Sequence, residues 1–355
     1  MRSENNNRLA EQLKESSLEG SGRISDEHAL AIFIDAKLTK RSYEIVRAPV
    51  ANVYPPYKHV AASKSKCYPP EEAFFLNDFE CRVNLQSLLD HTVSRFINEL
   101  RDSLNDLALQ GQRHYTFIFK WGCDGSSGYS EYKQAYFDAQ HTDAHAFLTS
   151  IVPLKMICNE KTIWYNPRPC SPSFCRPVFL QFIKETDATI LAEHQRMVEE
   201  IENLVPFEYE LNNYTLIFDY SLHMTMIDGK VINAITSTSS AQRCYLCQAT
   251  ISEFNCIEKM CKKKVKEDFL LYGLSTLHCW IRIFECMIHI AYRLTFKKWI
   301  KTAHINEYNS NKARIQKEFF EQLGIHVDKP RSQFGNSNDG NTARNFLKTW
   351  MSHRK

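Results

Sequence analysis

No stretch of this 355-residue sequence reaches the ~20 consecutive apolar residues that a membrane-crossing helix needs. The most apolar helix-like run, Leu274 to Leu294, is interrupted by Arg282, Glu285 and Arg293. No apolar segment follows Arg2 and Glu4 at the N-terminus, so a secretory leader is not expected. Net charge is also nearly absent: 44 Lys+Arg oppose 41 Asp+Glu, which argues against an extreme polyanion-binding tail protein. Internal repeats are missing. The hydrophobic fraction of 43% is close to that of ordinary globular chains, so disorder throughout is excluded and a sizeable core can form. Twelve cysteines without an export signal read as reduced thiols or metal ligands, which points to the cytosol or nucleus.

The small net charge hides an asymmetry. From Phe296 to Lys355 there are twelve Lys/Arg and five Asp/Glu, so the rest of the chain is acidic. A basic end beside an acidic body suggests an anionic partner near the C-terminus; a solvated basic tail is the plain alternative.

Residues 1–25 are polar and read as a flexible lead-in. Residues 26–112 read as helical. One helix begins at Asp26, a second carries Leu38, Tyr43, Ile45 and Val46 and ends before Pro49, and a third spans Lys58 to Lys66. Lys37, Lys40, Arg41, Lys58, Lys64 and Lys66 make this region basic, which suits a DNA-binding or dimerisation unit or a generic bundle. A longer helix over 84–109 carries one leucine-rich stripe.

The period then changes. Strands are expected at His114–Cys123, Phe147–Met156, Thr162–Tyr165 and Pro177–Ile183, with a surface helix over Asp187–Leu204. From Tyr214 onward, Leu216, Phe218, Tyr220, Leu222, Met224 and Met226 alternate strictly, giving the clearest strand in the chain; a helix follows from Gly229. Residues 113–240 are thus expected to form a mixed α/β domain. Residues 241–295 should be a helical region around a cysteine pair, and 296–355 a basic helix-and-loop segment.

Three acids stand at expected strand ends: Asp124 in Cys123-Asp124-Gly125, Glu185 after the Val178–Lys184 strand, and Asp228 before Gly229. Carboxylates of this kind suit Mg²⁺ or Mn²⁺, and paired metals can activate a water or 3′-hydroxyl in phosphodiester chemistry. Asp-Gly pairs are also ordinary turn residues. Cys244-Tyr245-Leu246-Cys247 has the spacing of a zinc half-site, with no clean second pair downstream. Lys262, Lys263, Lys264 and Lys266 could contact phosphates or form a solvated face. The loop Phe334–Arg344 is rich in glycine and amides; Asn341 and Arg344 at its end suit a nucleic-acid backbone, and an Asx-rich turn is the alternative.

Together, in order, these segments resemble the catalytic core of the V(D)J recombinase's recombination-activating protein and the Transib-type DDE transposases, over about residues 27 to 350. Cys123-Asp124-Gly125 matches the family's first catalytic element, and Asp228 stands before Cys244 and Cys247 as its second aspartate does. Leu180 to Asp187 matches an element that supplies an additional active-site glutamate, here Glu185. Leu38-Thr39-Lys40-Arg41-Ser42-Tyr43, Tyr54-Pro55-Pro56-Tyr57, Leu277-His278-Cys279 and Asn341-Thr342-Ala343-Arg344 also have counterparts. The resemblance implies an RNase H-like fold and metal-dependent DNA strand cleavage and strand transfer. It further implies a nuclear homodimer acting on transposon ends, with Mg²⁺ or Mn²⁺ and a zinc ion. The sequence departs from the family pattern. The family's third essential carboxylate and the two histidines that complete its zinc site lie beyond residue 355, and no terminal-repeat-binding domain precedes residue 27. Trp280 stands where relatives often carry an acid. The expectation is therefore a truncated transposase with impaired chemistry, or a non-catalytic DNA- or protein-binding remnant with an incomplete zinc site.

Overall fold

The computed structural model describes residues 22–127, 143–240, 242–254, 256–273, 276–294, 296, 304–331 and 335–352. They fall into two compact units, one made of residues up to Phe74 plus Gln86–Phe96 and the other of Phe75–Leu85 plus the chain from Ile97.

The first unit opens with α1 (Asp26–Asp35), α2 (Lys40–Arg47) and α3 (Tyr57–Ser65). Ser25 and Thr39 cap the first two by accepting from the backbone N–H groups of His28 and Ser42, satisfying donors that a helix start leaves unpaired. Ala29, Leu30, Tyr43 and Val60 form a small core with Phe33, Tyr54 and Tyr57 around it. The Tyr43 hydroxyl donates to the Pro55 carbonyl at 2.7 Å, anchoring the proline turn. The long helix expected over 84–109 is two helices, α4 (Leu85–Glu99), of which Gln86–Phe96 belongs to this unit, and α5 (Arg101–Leu109), which belongs to the second. They part at Leu100, whose φ of −106° and ψ of 15° leave the helical range although Leu100 and its two neighbours, Glu99 and Arg101, are good helix formers.

The second unit is built on one mixed sheet. Its strands are β1 (Phe74–Leu76), β2 (Glu80–Val83), β3 (His114–Ser127), β4 (His145–Cys158), β5 (Lys161–Tyr165), β6 (Arg176–Gln181), β7 (Phe207–Leu211) and β8 (Tyr214–Met224). Their order is β1-β2-β6-β4-β3-β8-β7, with β5 also on β4. β3, β4 and β6 form an antiparallel meander; α6 (Asp187–Glu202) then carries the chain across, and β8 enters parallel to β3. The mixed α/β class expected for this region is therefore present. In β3 the alternate residues Tyr115, Phe117, Phe119, Trp121 and Cys123 are buried, as are Leu216 and Phe218 of β8, and Tyr115 stacks on Phe218 at 5.1 Å. This period-2 burial is the physical content of the alternation in the sequence.

Under α6 lies a polar network. Glu193 is 4% exposed; Thr149 Oγ1 donates to it at 2.6 Å, and Arg196 donates to both its oxygens at 2.6 and 2.8 Å. Arg82 stacks on the Phe179 ring 4.1 Å away, and the guanidinium group of Arg196 is 5.6 Å from the same ring. The surface helix expected over Asp187–Leu204 is present, and it buries Ile190 and Met197 of its apolar stripe together with Glu193.

Further along run α7 (Gly229–Ile235), the short α8 (Ile251–Phe254) and α9 (Ile257–Met260), then α10 (Thr276–Arg293), α11 (Ile305–Leu323) and α12 (Gly340–Ser352), with β9 (Pro330–Arg331) paired to β10 (Gly335–Asn336). Phe284, Ile288, Tyr292, Ile315, Val327 and Ala343 make their core. The amide-rich loop before α12 spends its polar groups locally. Asn338 Nδ2 donates to Asp328 Oδ1 at 2.6 Å, Ser337 Oγ accepts from the Lys329 N–H, and Asp339 Oδ1 accepts from the Thr342 N–H. Among the described residues no helix is long and apolar enough to cross a membrane.

Candidate functional site

β3 is longer than the sequence suggests: its pairing with β4 continues through Asp124, Gly125, Ser126 and Ser127. Asp124 is therefore an exposed residue within the far end of a strand rather than the first residue of a turn. Gly125 is glycine for a different reason than turning. A Cβ there would overlap the Glu185 side chain, lying 2.9 Å from Oε2 and 3.0 Å from Cγ. The absence of a side chain lets the Glu185 carboxylate lie against the backbone next to Asp124. Gly128 lies outside the described residues.

β6 ends at Gln181, three residues earlier than the strand expected to lead into Glu185. Glu185 sits in the link to α6, immediately before Thr186, whose side chain forms a reciprocal capping pair with Thr189. That cap fixes the entry to the helix and with it the backbone that presents Glu185.

Asp228 closes the link after β8. The Trp121 carbonyl accepts from the N–H groups of Thr225 and Met226 at 3.1 and 3.0 Å, which ties this link to β3. A Cβ at Gly122 would overlap the Met226 carbonyl, so the close approach again depends on a missing side chain. Asp228 is the N-cap of α7: its Oδ1 accepts from the N–H groups of Lys230 and Val231 at 2.8 and 2.9 Å. Lys230 turns its ammonium the other way, donating to Glu185 Oε2 at 2.9 Å and to the Glu185 carbonyl at 3.0 Å. Sequence reasoning passed over Lys230; its position two residues after a capping aspartate was the available signal.

The three acids also share one electrostatic neighbourhood. The Cys123 thiol beneath them is pushed up to about 12, first by burial and then by the carboxylates of Glu193, Glu185, Asp124 and Asp228. Strand β3, the α6 entry and the α7 entry therefore bring Asp124, Glu185 and Asp228 to one edge of the sheet. These hard oxygen donors fit a divalent cation such as Mg²⁺ or Mn²⁺. Glu185 supplies the sharpest sign: its Oε1 is buried with no hydrogen-bond partner, an oxygen a cation would satisfy. Among the described residues no three His, Cys, Asp or Glu side chains gather closely enough to hold a metal as they stand.

Cys244 and Cys247 occupy a tight hairpin. The Cys244 N–H donates to the Ala249 carbonyl at 3.0 Å and its carbonyl accepts from Gln248 N–H at 2.8 Å, with Gln248 in the left-handed region at φ 57°. The turn keeps both thiols half-buried on one short loop, a geometry that suits two ligands of a soft ion. Cys279 acts electrostatically on Tyr245, whose hydroxyl donates to the Gly273 carbonyl at 2.7 Å, so α10 begins near this hairpin. All twelve cysteines are free thiols.

Of the residues expected to meet nucleic acid, Lys263 is in an ion pair with Glu253 at 2.7 Å, while Lys262 and Lys264 are exposed beside it. Asn341 is exposed and Arg344 half-buried in the first turns of α12. The structure does not gather these two groups with the acids.

Compared with known proteins, the sequence matches no protein-family model and no curated protein.

Proposed function

We propose that this chain is a transposase-derived protein with an RNase H-like core whose acidic edge acts on DNA phosphodiesters with Mg²⁺ or Mn²⁺. The observation that carries the reading is the approach of Asp124, at the end of β3, and Asp228, in the link after the neighbouring parallel strand β8, to the Cys123 neighbourhood that also holds Glu185 against Gly125. The antiparallel β3-β4-β6 meander, the α6 crossover and the parallel entry of β8 support the RNase H-like assignment. In such a site the metal lowers the cost of charge on the attacking and leaving oxygens. The chain's own contribution is to hold Asp124 on a strand and Asp228 at a helix start, and to bury Glu185 out of bulk water. Lys262, Lys264 and Arg344 are the proposed DNA contacts, with Asn341; a homodimer, a nuclear location and a zinc ion at Cys244 and Cys247 belong to the same reading.

A non-catalytic DNA-binding remnant is the second reading, and one contact favours it: Glu185 already has the Lys230 ammonium as its cation. One assay separates the two. The purified chain is incubated with nicked or hairpin DNA and Mn²⁺ at several salt concentrations. Salt-dependent binding together with cleavage abolished in Asp124→Ala and Asp228→Asn supports the first reading. Binding without cleavage supports the second, and no salt-dependent binding overturns both.

A further inference from the structure

We infer that Lys230 is a resident counter-cation of the acidic edge, which a divalent metal must displace from Glu185. This inference rests on the metal-site reading above and concerns what guards that site.

Lys230 touches two of the three acids with different parts of itself. Its backbone N–H holds Asp228 Oδ1 at 2.8 Å, and its ammonium holds Glu185 Oε2 at 2.9 Å and the Glu185 carbonyl at 3.0 Å. The two side chains are not equally mobile. Glu185 is only 14% exposed and wedged on Gly125, whereas Lys230 is 47% exposed on a flexible four-carbon stem. If one partner leaves, it is the lysine. The ion pair gives the carboxylate a neighbour of the right sign without filling the site, since Glu185 Oε1 stays buried and unpartnered. A divalent ion at Asp124 and Asp228 that drew in the Glu185 carboxylate would repel the ammonium. The Asp228 cap is untouched by the exchange, because it uses the amide of Lys230 and not its side chain.

The expected consequence is a competition between an internal monovalent cation and an external divalent one. Removing the internal charge should strengthen Mn²⁺ binding by about three- to tenfold, the effect of one unit charge a few ångströms away in a solvent-accessible setting. The full-length chain, its Lys230→Met and Lys230→Arg variants, and Asp124→Ala are titrated with Mn²⁺, following the free-ion paramagnetic resonance signal. Melting temperatures are read with and without the ion. Lys230→Met is expected to bind Mn²⁺ more tightly than wild type, to melt lower without the ion, and to recover with it; Lys230→Arg stays close to wild type. Asp124→Ala binds weakly in all cases. Lys230→Met binding Mn²⁺ no more tightly than wild type overturns the inference and leaves the metal site standing. Absence of Mn²⁺ binding in both wild type and Lys230→Met, or binding unchanged in Asp124→Ala, overturns the metal site and the inference with it.

Discussion

Gly125 and Glu185 are in direct contact: the Glu185 side chain lies in the space where any other residue at 125 would carry its Cβ. Alanine at 125 must therefore push Glu185 off the strand. The nearest atom it meets is Glu185 Cβ, which no rotamer change moves, so the Glu185 backbone must shift and Gly125→Ala should cost about 1–3 kcal/mol and weaken any metal binding with it. Gly122→Ala should cost more, because the atoms it meets are the Met226 backbone carbonyl. Urea denaturation of both variants checks the order; a Gly125→Ala protein as stable as wild type would show that Glu185 does not rest there.

A second prediction concerns the carboxylate under α6. Glu193 is buried with Arg196 bidentate on it and Thr149 donating to it, so truncation takes two of the guanidinium's hydrogen bonds and leaves it Glu200 alone. Glu193→Ala should cost about 2–3 kcal/mol, less than a fully orphaned buried charge. Thr149→Val removes one hydrogen bond and should cost about 1 kcal/mol. Equal, small losses in the two variants would mean that water reaches Arg196.

The Cys123 thiol gives a pH prediction. Its proton is held up to about 12 in the fold, against 9.0 in the free side chain. Between those values the unfolded chain has lost the proton and the folded chain has kept it. Stability is therefore unaffected by this group below about 9 and falls as the pH climbs through that window. Cys123→Ala should flatten that decline in a series of melts. At pH 8 a disulfide reagent should modify the exposed Cys170, Cys261, Cys279 and Cys286 and leave Cys123 untouched until the chain unfolds.

In the N-terminal unit, Tyr43→Phe keeps the ring among Phe33, Tyr54 and Tyr57 and removes only the hydroxyl bonded to Pro55. The Pro55 carbonyl then loses a buried donor, at a cost of about 1 kcal/mol. Tyr43→Ala, which also empties the core, should cost several times that, about 3–5 kcal/mol. A thermal melt of the two variants checks the ratio.

The strands that carry the site were legible because each buries one face: Tyr115 to Cys123 and Leu216 to Met224 alternate in sequence as they do in space. The helix starts at Asp26 and Asp187 were legible from the apolar residues that follow them. The break at Leu100 was not, because Glu99, Leu100 and Arg101 all favour continuation of a helix and no glycine or proline marks the point. β1 and β2 are too short for a period to show, and β2 takes its place from pairing with distant β6; β7 was missed although Phe207, Tyr209 and Leu211 alternate with Glu208 and Glu210. At the site, Asp124, Glu185 and Asp228 could be picked out one by one. That Gly125 serves contact instead of a turn, and that Lys230 joins two of the acids, depends on Glu185 meeting residues 60 and 45 positions away in the chain. The polar loop before α12 looked suited to phosphate, yet its Ser337, Asn338 and Asp339 bond to nearby backbone or to Asp328, an outcome equally written in Asx chemistry.

Asp228 begins a helix with the same carboxylate that would serve chemistry. A lineage that had lost cleavage would still be under pressure to keep an acceptor at 228, with asparagine or serine as tolerable replacements. Asp124 stands on a strand and has no helix to cap. On the proposed function, drift at 124 with retention at 228 across descendants of one ancestor would mark the branches where catalysis ended and folding went on.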